Sequence, residues 1–130
     1  MGLRLLLDTH ALVWAVSAPE RLSHAAREAV LDTRHRLFIS SASAWELATK
    51  HRLGKLPGLE PLLENFTDHA ERLSAELLPI RHDHALRAGA LPGAHRDPFD
   101  RMLAAQAQLD DLELLTRDPA FAEFEVRTLW

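Results

Sequence analysis

The chain has 130 residues, close to the common size of one folding unit, with 47% apolar and 26% charged residues, which excludes a disordered polymer. It contains no cysteine, so disulfides and thiolate metal sites are excluded. A formal net charge of −4, with eight histidines counted neutral, argues against a basic protein that coats nucleic acid nonspecifically, although a nuclease stays open because a metal site concentrates acids.

The N-terminus, Met1 to Asp8, carries an apolar run too short for a signal peptide or a membrane span, and the expected compartment is the cytoplasm. Leu3 to Leu7 reads as a buried strand ended by Asp8. Thr9 to Val16 follows with helical spacing and is broken at Ala18-Pro19. An amphipathic helix is expected from Ser23 to about Thr33. Arg36 to Ser40 is the second strand. Ser41 and Ser43 then offer N-caps for a helix over Ala44 to Leu53, stopped by Gly54 or by Leu56-Pro57-Gly58.

Another amphipathic helix is expected from Pro61 to Leu73, and a third strand over Glu76 to Ile80, where Pro79 is a poor fit. Asp83 can cap a short helix running to Leu91, before a Pro92-Gly93 loop. Asp97-Pro98-Phe99-Asp100 reads as a helix start, with Asp97 as cap and Pro98 in the first helical position. That helix turns alanine-rich and ends near Asp110-Asp111. Leu112 to Thr116 is the fourth strand, Asp118-Pro119 opens one helical turn, and Glu125 to Trp130 is the fifth strand. Strands alternating with helices indicate a parallel α/β sheet covered on both faces. No linker or repeat divides it, so residues 1–130 count as one domain.

Four acids fall where such a sheet binds ligands, at the carboxyl ends of its strands. Asp8 ends the first strand, Glu46 lies on the first turn after the second, and Asp118 follows the fourth; Asp100 reaches the same edge from a helix entering it. Each also has a structural role open to it: Asp8 and Asp118 as helix caps, Glu46 as the far end of a capping box with Ser43, and Asp100 as an acid complementing the positive end of the helix that Asp97 caps. Clustered carboxylates repel one another unless a cation is shared. Oxygen ligands without thiolates suit Mg²⁺ or Mn²⁺, and the chemistry that fits is phosphodiester hydrolysis by activated water.

Leu6-Leu7-Asp8-Thr9-His10, Ser43-Ala44-Trp45-Glu46-Leu47, Asp97-Pro98-Phe99-Asp100-Arg101 and Leu115-Thr116-Arg117-Asp118-Pro119 resemble, in order, the motifs of PIN-domain ribonucleases. Among these the chain resembles the VapC toxins of bacterial type II toxin–antitoxin systems. The resemblance implies a five-stranded parallel sheet in the order 3-2-1-4-5 and Mg²⁺-dependent endoribonuclease activity. It also implies a homodimer and inhibition by a cognate VapB-type antitoxin. Carried over, Asp8, Glu46, Asp100 and Asp118 match the acidic quartet, with Asp8 and Asp100 foremost as metal ligands. Thr116 matches a supporting hydroxyl, and Asp97 is an extra acid that supports the site or caps its helix.

Arg101, Arg117 and Arg96 flank the acids and are candidate RNA-phosphate contacts, as is the basic stretch Lys50, His51, Arg52 and Lys55. His82, His84 and His95 lack a second ligand set at zinc spacing. Trp14 and Trp45, on helices with apolar neighbours, are expected in the core or a dimer interface. Two rival classes remain. A receiver-like phosphotransfer domain would need adjacent acids after the first strand and a lysine after the last, and the chain has neither. A non-catalytic interaction module would use the same acids only as caps.

Overall fold

A computed structural model describes residues 2–130. Its strands are β1 (Arg4–Leu7), β2 (Arg36–Ser40), β3 (Ala75–Leu78), β4 (Glu113–Leu115) and β5 (Thr128–Leu129). They form one sheet in the order β3-β2-β1-β4-β5, every pair parallel, as the resemblance implied. The helices are α1 (Thr9–Ser17), α2 (His24–Leu31), α3 (Ser41–Arg52), α4 (Glu60–Glu64), α5 (Phe66–Arg72), α6 (His82–Ala90) and α7 (Pro98–Leu109). Among the described residues no helix is long and apolar enough to cross a membrane.

Alternation along the strands splits the core in two. Leu5 and Leu7 of β1, Leu37 and Ile39 of β2 and Leu115 of β4 face one side, where α1, α2, α4 and α5 supply Leu12, Ala26, Leu62 and Ala70. Leu6, Phe38 and Leu114 face the other, against Ala88 of α6 and Leu103, Ala104 and Ala107 of α7. The central strand β1 is buried on both faces, which is why it reads as an unbroken apolar run.

Several boundaries differ from the sequence reading. The helix after β2 begins at Ser41, three residues earlier than expected, because the Ser40 hydroxyl at the strand end already accepts the Ala42 N–H. Ser43 is therefore inside the helix, and no Ser43–Glu46 capping box forms. The long helix over Pro61 to Leu73 is two short ones, broken at Asn65, whose side chain donates back to the Pro61 carbonyl. Asp83 is not the cap of α6: Arg81 holds that position, and its N–H donates to His84 Nδ1. Pro79 falls just past β3, and the fifth strand shrinks to Thr128–Leu129 after a 3-10 helix, Pro119–Phe124, closed by Glu125 at φ 55°.

Candidate active site

In a parallel sheet, a helix after a strand starts at the strands' carboxyl edge, and a helix before a strand starts there too, because it runs antiparallel. The N-termini of α1, α3 and α7 therefore meet at one edge of the sheet. Their positive ends favour anionic side chains at that edge.

Asp8 is the N-cap of α1 and is 6% exposed. Its Oδ1 accepts the Ala11 N–H at 2.7 Å, and its Oδ2 accepts the Thr116 hydroxyl. The Thr116 oxygen in turn accepts the Asp118 N–H at 3.0 Å, so one hydroxyl ties the end of β1 to the loop after β4. Asp118 is exposed and caps the following 3-10 helix through the Ala120 N–H. Burial pushes the Asp8 carboxyl above its usual range; the Thr116 and Ala11 bonds oppose this, and the Asp118 charge adds to it.

Glu46 and Asp100 approach from the helices. Glu46 lies on the second turn of α3, not the first, and is 3% exposed. Its Oε2 pairs with Lys50 one turn along the helix, and its Oε1 is buried with no partner. Asp100 sits in the first turn of α7, whose cap Asp97 accepts the Phe99 and Asp100 N–H groups at 2.8 and 3.2 Å. Burial pushes the Asp100 carboxyl up to about 6, with the Asp97 and Glu46 charges adding and a bond to His95 opposing. His95 Nε2 lies 2.8 Å from Asp100 Oδ2, and that bond raises the histidine.

The quartet thus lies at one sheet edge, with Asp8 tied to the Asp118 backbone through Thr116 and Asp100 within reach of the Glu46 charge. The donors are all oxygen, two of the carboxyls are pushed up by burial, and one carboxylate oxygen is orphaned in the interior. That set fits a hard divalent cation, which would neutralise the repulsion and partner the free oxygen. Among the described residues, no three His, Asp or Glu side chains already converge as a closed ligand cluster. Each carboxylate is instead held on an internal partner: Thr116, Lys50, His95 or the Ala120 N–H.

The candidate RNA contacts separate. Arg101 is half-buried, and its guanidinium donates to the carbonyls of Ala88 at 2.9 Å, His95 at 2.9 Å and Leu91, fastening the loop before α7. Lys50 is occupied by Glu46, and His51 by Glu60 at 3.2 Å. Arg52, Lys55, Arg96 and Arg117 are exposed. Arg117 lies 4.7 Å over the Trp14 ring, beside Asp8 and Asp118 in a cleft of about 470 Å³. Trp14 is half-buried, whereas Trp45 is 56% exposed, edge-on to Phe99 at 4.8 Å, and so is not a core residue.

Three residues at the site escape sequence reasoning. His95 sits in an irregular loop, with no periodicity to mark it. Thr9 and Ser43 share a buried hydrogen bond of 3.0 Å that joins the starts of α1 and α3. Their hydroxyls directly follow Asp8 and precede Glu46 by three residues, which was the available signal.

Residues 5–126 match the PIN domain family. Ribonuclease VapC16 of Mycobacterium tuberculosis is 36% identical over 87 residues, covering 65% of this chain and 62% of that protein; the chain thus matches under two thirds of that relative's length. Ribonuclease VapC22 of the same organism is 32% identical over 114 residues, covering 87% of this chain and 85% of that protein. Among solved structures, VapBC2 from Rickettsia felis, crystallised with a DNA fragment from its promoter, superposes with a TM-score of 0.72 over 98% of each chain. Its identity of 17% speaks to the shared fold alone.

Proposed function

Because the chain belongs to the PIN-domain family, alongside the VapC ribonucleases, we propose that it is a divalent-metal-dependent endoribonuclease. In this reading it is the toxin of a VapBC-type pair, a cytoplasmic homodimer restrained by a cognate VapB-type antitoxin. The observation that carries the reading is the gathering of Asp8, Glu46, Asp100 and Asp118 at the edge where three helix N-termini meet, with Glu46 Oε1 buried and unpartnered.

Asp8 and Asp100 would hold the cation, Mg²⁺ or Mn²⁺, with Glu46 and Asp118 assisting. A cation there lowers the pKa of water and neutralises charge developing on a phosphoryl group. Thr116 fixes the Asp8 carboxylate and the Asp118 backbone in one register. Lys50 pairs with Glu46 Oε2 and leaves Oε1 as the oxygen that would assist. Asp97 caps α7 and so sets where Asp100 points. Arg117 and Arg52, like Arg96 and Lys55, are exposed cations that would meet RNA phosphates.

The non-catalytic reading draws on the internal partner that each quartet carboxylate has. One experiment separates the two: incubating total RNA with the purified protein in Mg²⁺ and in EDTA, beside Asp100→Asn. Discrete fragments that require both the metal and Asp100 support the nuclease. Intact RNA with a folded, Mg²⁺-supplied wild type favours the interaction module.

A further inference from the structure

Outside the carboxylate set, His10, Trp14 and Arg117 form a saddle between two clefts. The first, about 470 Å³, holds these three beside Asp8 and Asp118. The second, about 490 Å³, runs from the same three toward Arg21, Leu56 and Leu59. Trp14 is anchored from behind, its ring 5.9 Å from that of Trp130 and packed on the core. The His10 ring lies 5.8 Å from Trp14 at 41°, and the Arg117 guanidinium lies 4.7 Å over the indole.

We propose that this saddle is a nucleotide subsite for single-stranded RNA, an inference that rests on the nuclease reading above. Arg117 takes the phosphate next to the one at the carboxylates, and its unpaired base stacks on the layer that His10, Trp14 and the guanidinium form together. The argument is one of adjacency and chemistry. A strand laid across the carboxylate edge must leave over one flank, and this flank couples a ring surface to a cation. Unpaired bases stack on aromatic and guanidinium planes, while the backbone follows positive charge. Trp45 and Phe99 form another aromatic pair near the carboxylates, but among the described residues no cation stacks on it. Arg21 continues positive charge along the second cleft, in the direction the chain of nucleotides would run.

The test uses the full chain as Asp100→Asn, with a fluorescein-labelled random-sequence 12-nucleotide RNA, single-stranded or annealed to its complement, read by anisotropy across a salt series. Trp14→Leu should weaken single-strand binding about five- to a hundredfold, with the salt slope unchanged and duplex binding unaffected. Arg117→Ala should lower the slope of log K against log salt by about 0.7. His10→Ala, at an exposed position, should weaken binding in the same sense as Trp14→Leu and separates base contact from any folding defect of the tryptophan variant. Unchanged affinity in both ring variants, or a loss confined to Trp45→Leu, overturns the subsite, as expected if the saddle serves a protein segment instead. If the wild type still cleaves RNA in that case, the subsite alone fails; if it neither binds nor cleaves, the nuclease reading fails with it.

Discussion

Lys50 grips one oxygen of the buried Glu46 carboxylate and leaves the other, Oε1, with no partner. The pair is asymmetric, because the lysine side chain is 29% exposed and the glutamate 4%. Removing the lysine strands a charge inside the protein, whereas removing the glutamate frees a side chain that can reach water. Lys50→Met should therefore destabilise the metal-free chain by about 1–3 kcal/mol, between the cost for an exposed pair and that for a fully buried one. If Glu46 assists in holding the cation as proposed, Lys50 competes for it, and the same variant should bind Mn²⁺ more tightly by calorimetry. Unchanged affinity would separate Glu46 from the metal.

The site also sets a pH dependence. Asp100 is pushed up to about 6 by burial, and Asp8 in the same direction, so their charged forms are disfavoured by folding. The stability Asp100 lends is present while it stays protonated and falls as pH rises from about 4 to about 6, and Asp8 acts in the same direction. His95, raised by its bond to Asp100, contributes stability below its ordinary value that is lost as pH rises through the raised one. Glu76, Asp83 and Asp110 act oppositely: arginines hold them low, and their contribution is lost only in acid. Thermal melts in EDTA should accordingly decline from pH 5 to pH 8. Millimolar Mg²⁺ should recover more at the alkaline end, and a gain independent of pH would contradict ligation by these carboxylates.

Thr116 serves two loops with one hydroxyl. Thr116→Val keeps the shape but removes the donor to Asp8 and the acceptor for the Asp118 N–H. Urea unfolding should show a loss of about 1–3 kcal/mol, with RNA cleavage reduced well beyond what the unfolded fraction explains. Thr116→Ser should recover most of both.

Arg101 is expected to be structural. Its guanidinium serves carbonyls of Ala88, Leu91 and His95, so Arg101→Ala should cost about 2–4 kcal/mol in urea unfolding. Arg101→Lys should not rescue it, because an ammonium lacks the planar fork. The salt slope of RNA binding should stay that of the parent; a fall would return Arg101 to the RNA interface.

Local patterning carried much of the fold. The apolar run before Asp8, the strand Arg36–Ser40 and the Asp97-Pro98 start of α7 are read from periodicity and capping chemistry, and they stand where expected. Boundaries failed where a tertiary contact overrode a local cue. Ser43 looked like a cap because its spacing to Glu46 fits one, but a hydroxyl on another helix, that of Thr9, claims it. The Pro61–Leu73 stripe has helical spacing throughout, and only the folded backbone shows the break at Asn65.

By itself the sequence determined the alternation of strands and helices and the four acids that follow strand ends or lie on the helices between them, since these depend on residues close in the chain. Tertiary structure alone decided what each acid meets. Thr116 reaches Asp8 across 108 positions, and Lys50 turns from a candidate RNA contact into the partner of Glu46. Arg117 lies over Trp14 and Arg101 fastens a loop, although each is next to an acid in the sequence. The physical reason is that periodicity fixes which face of an element a side chain occupies, whereas burial and partner depend on which other elements are packed against that face.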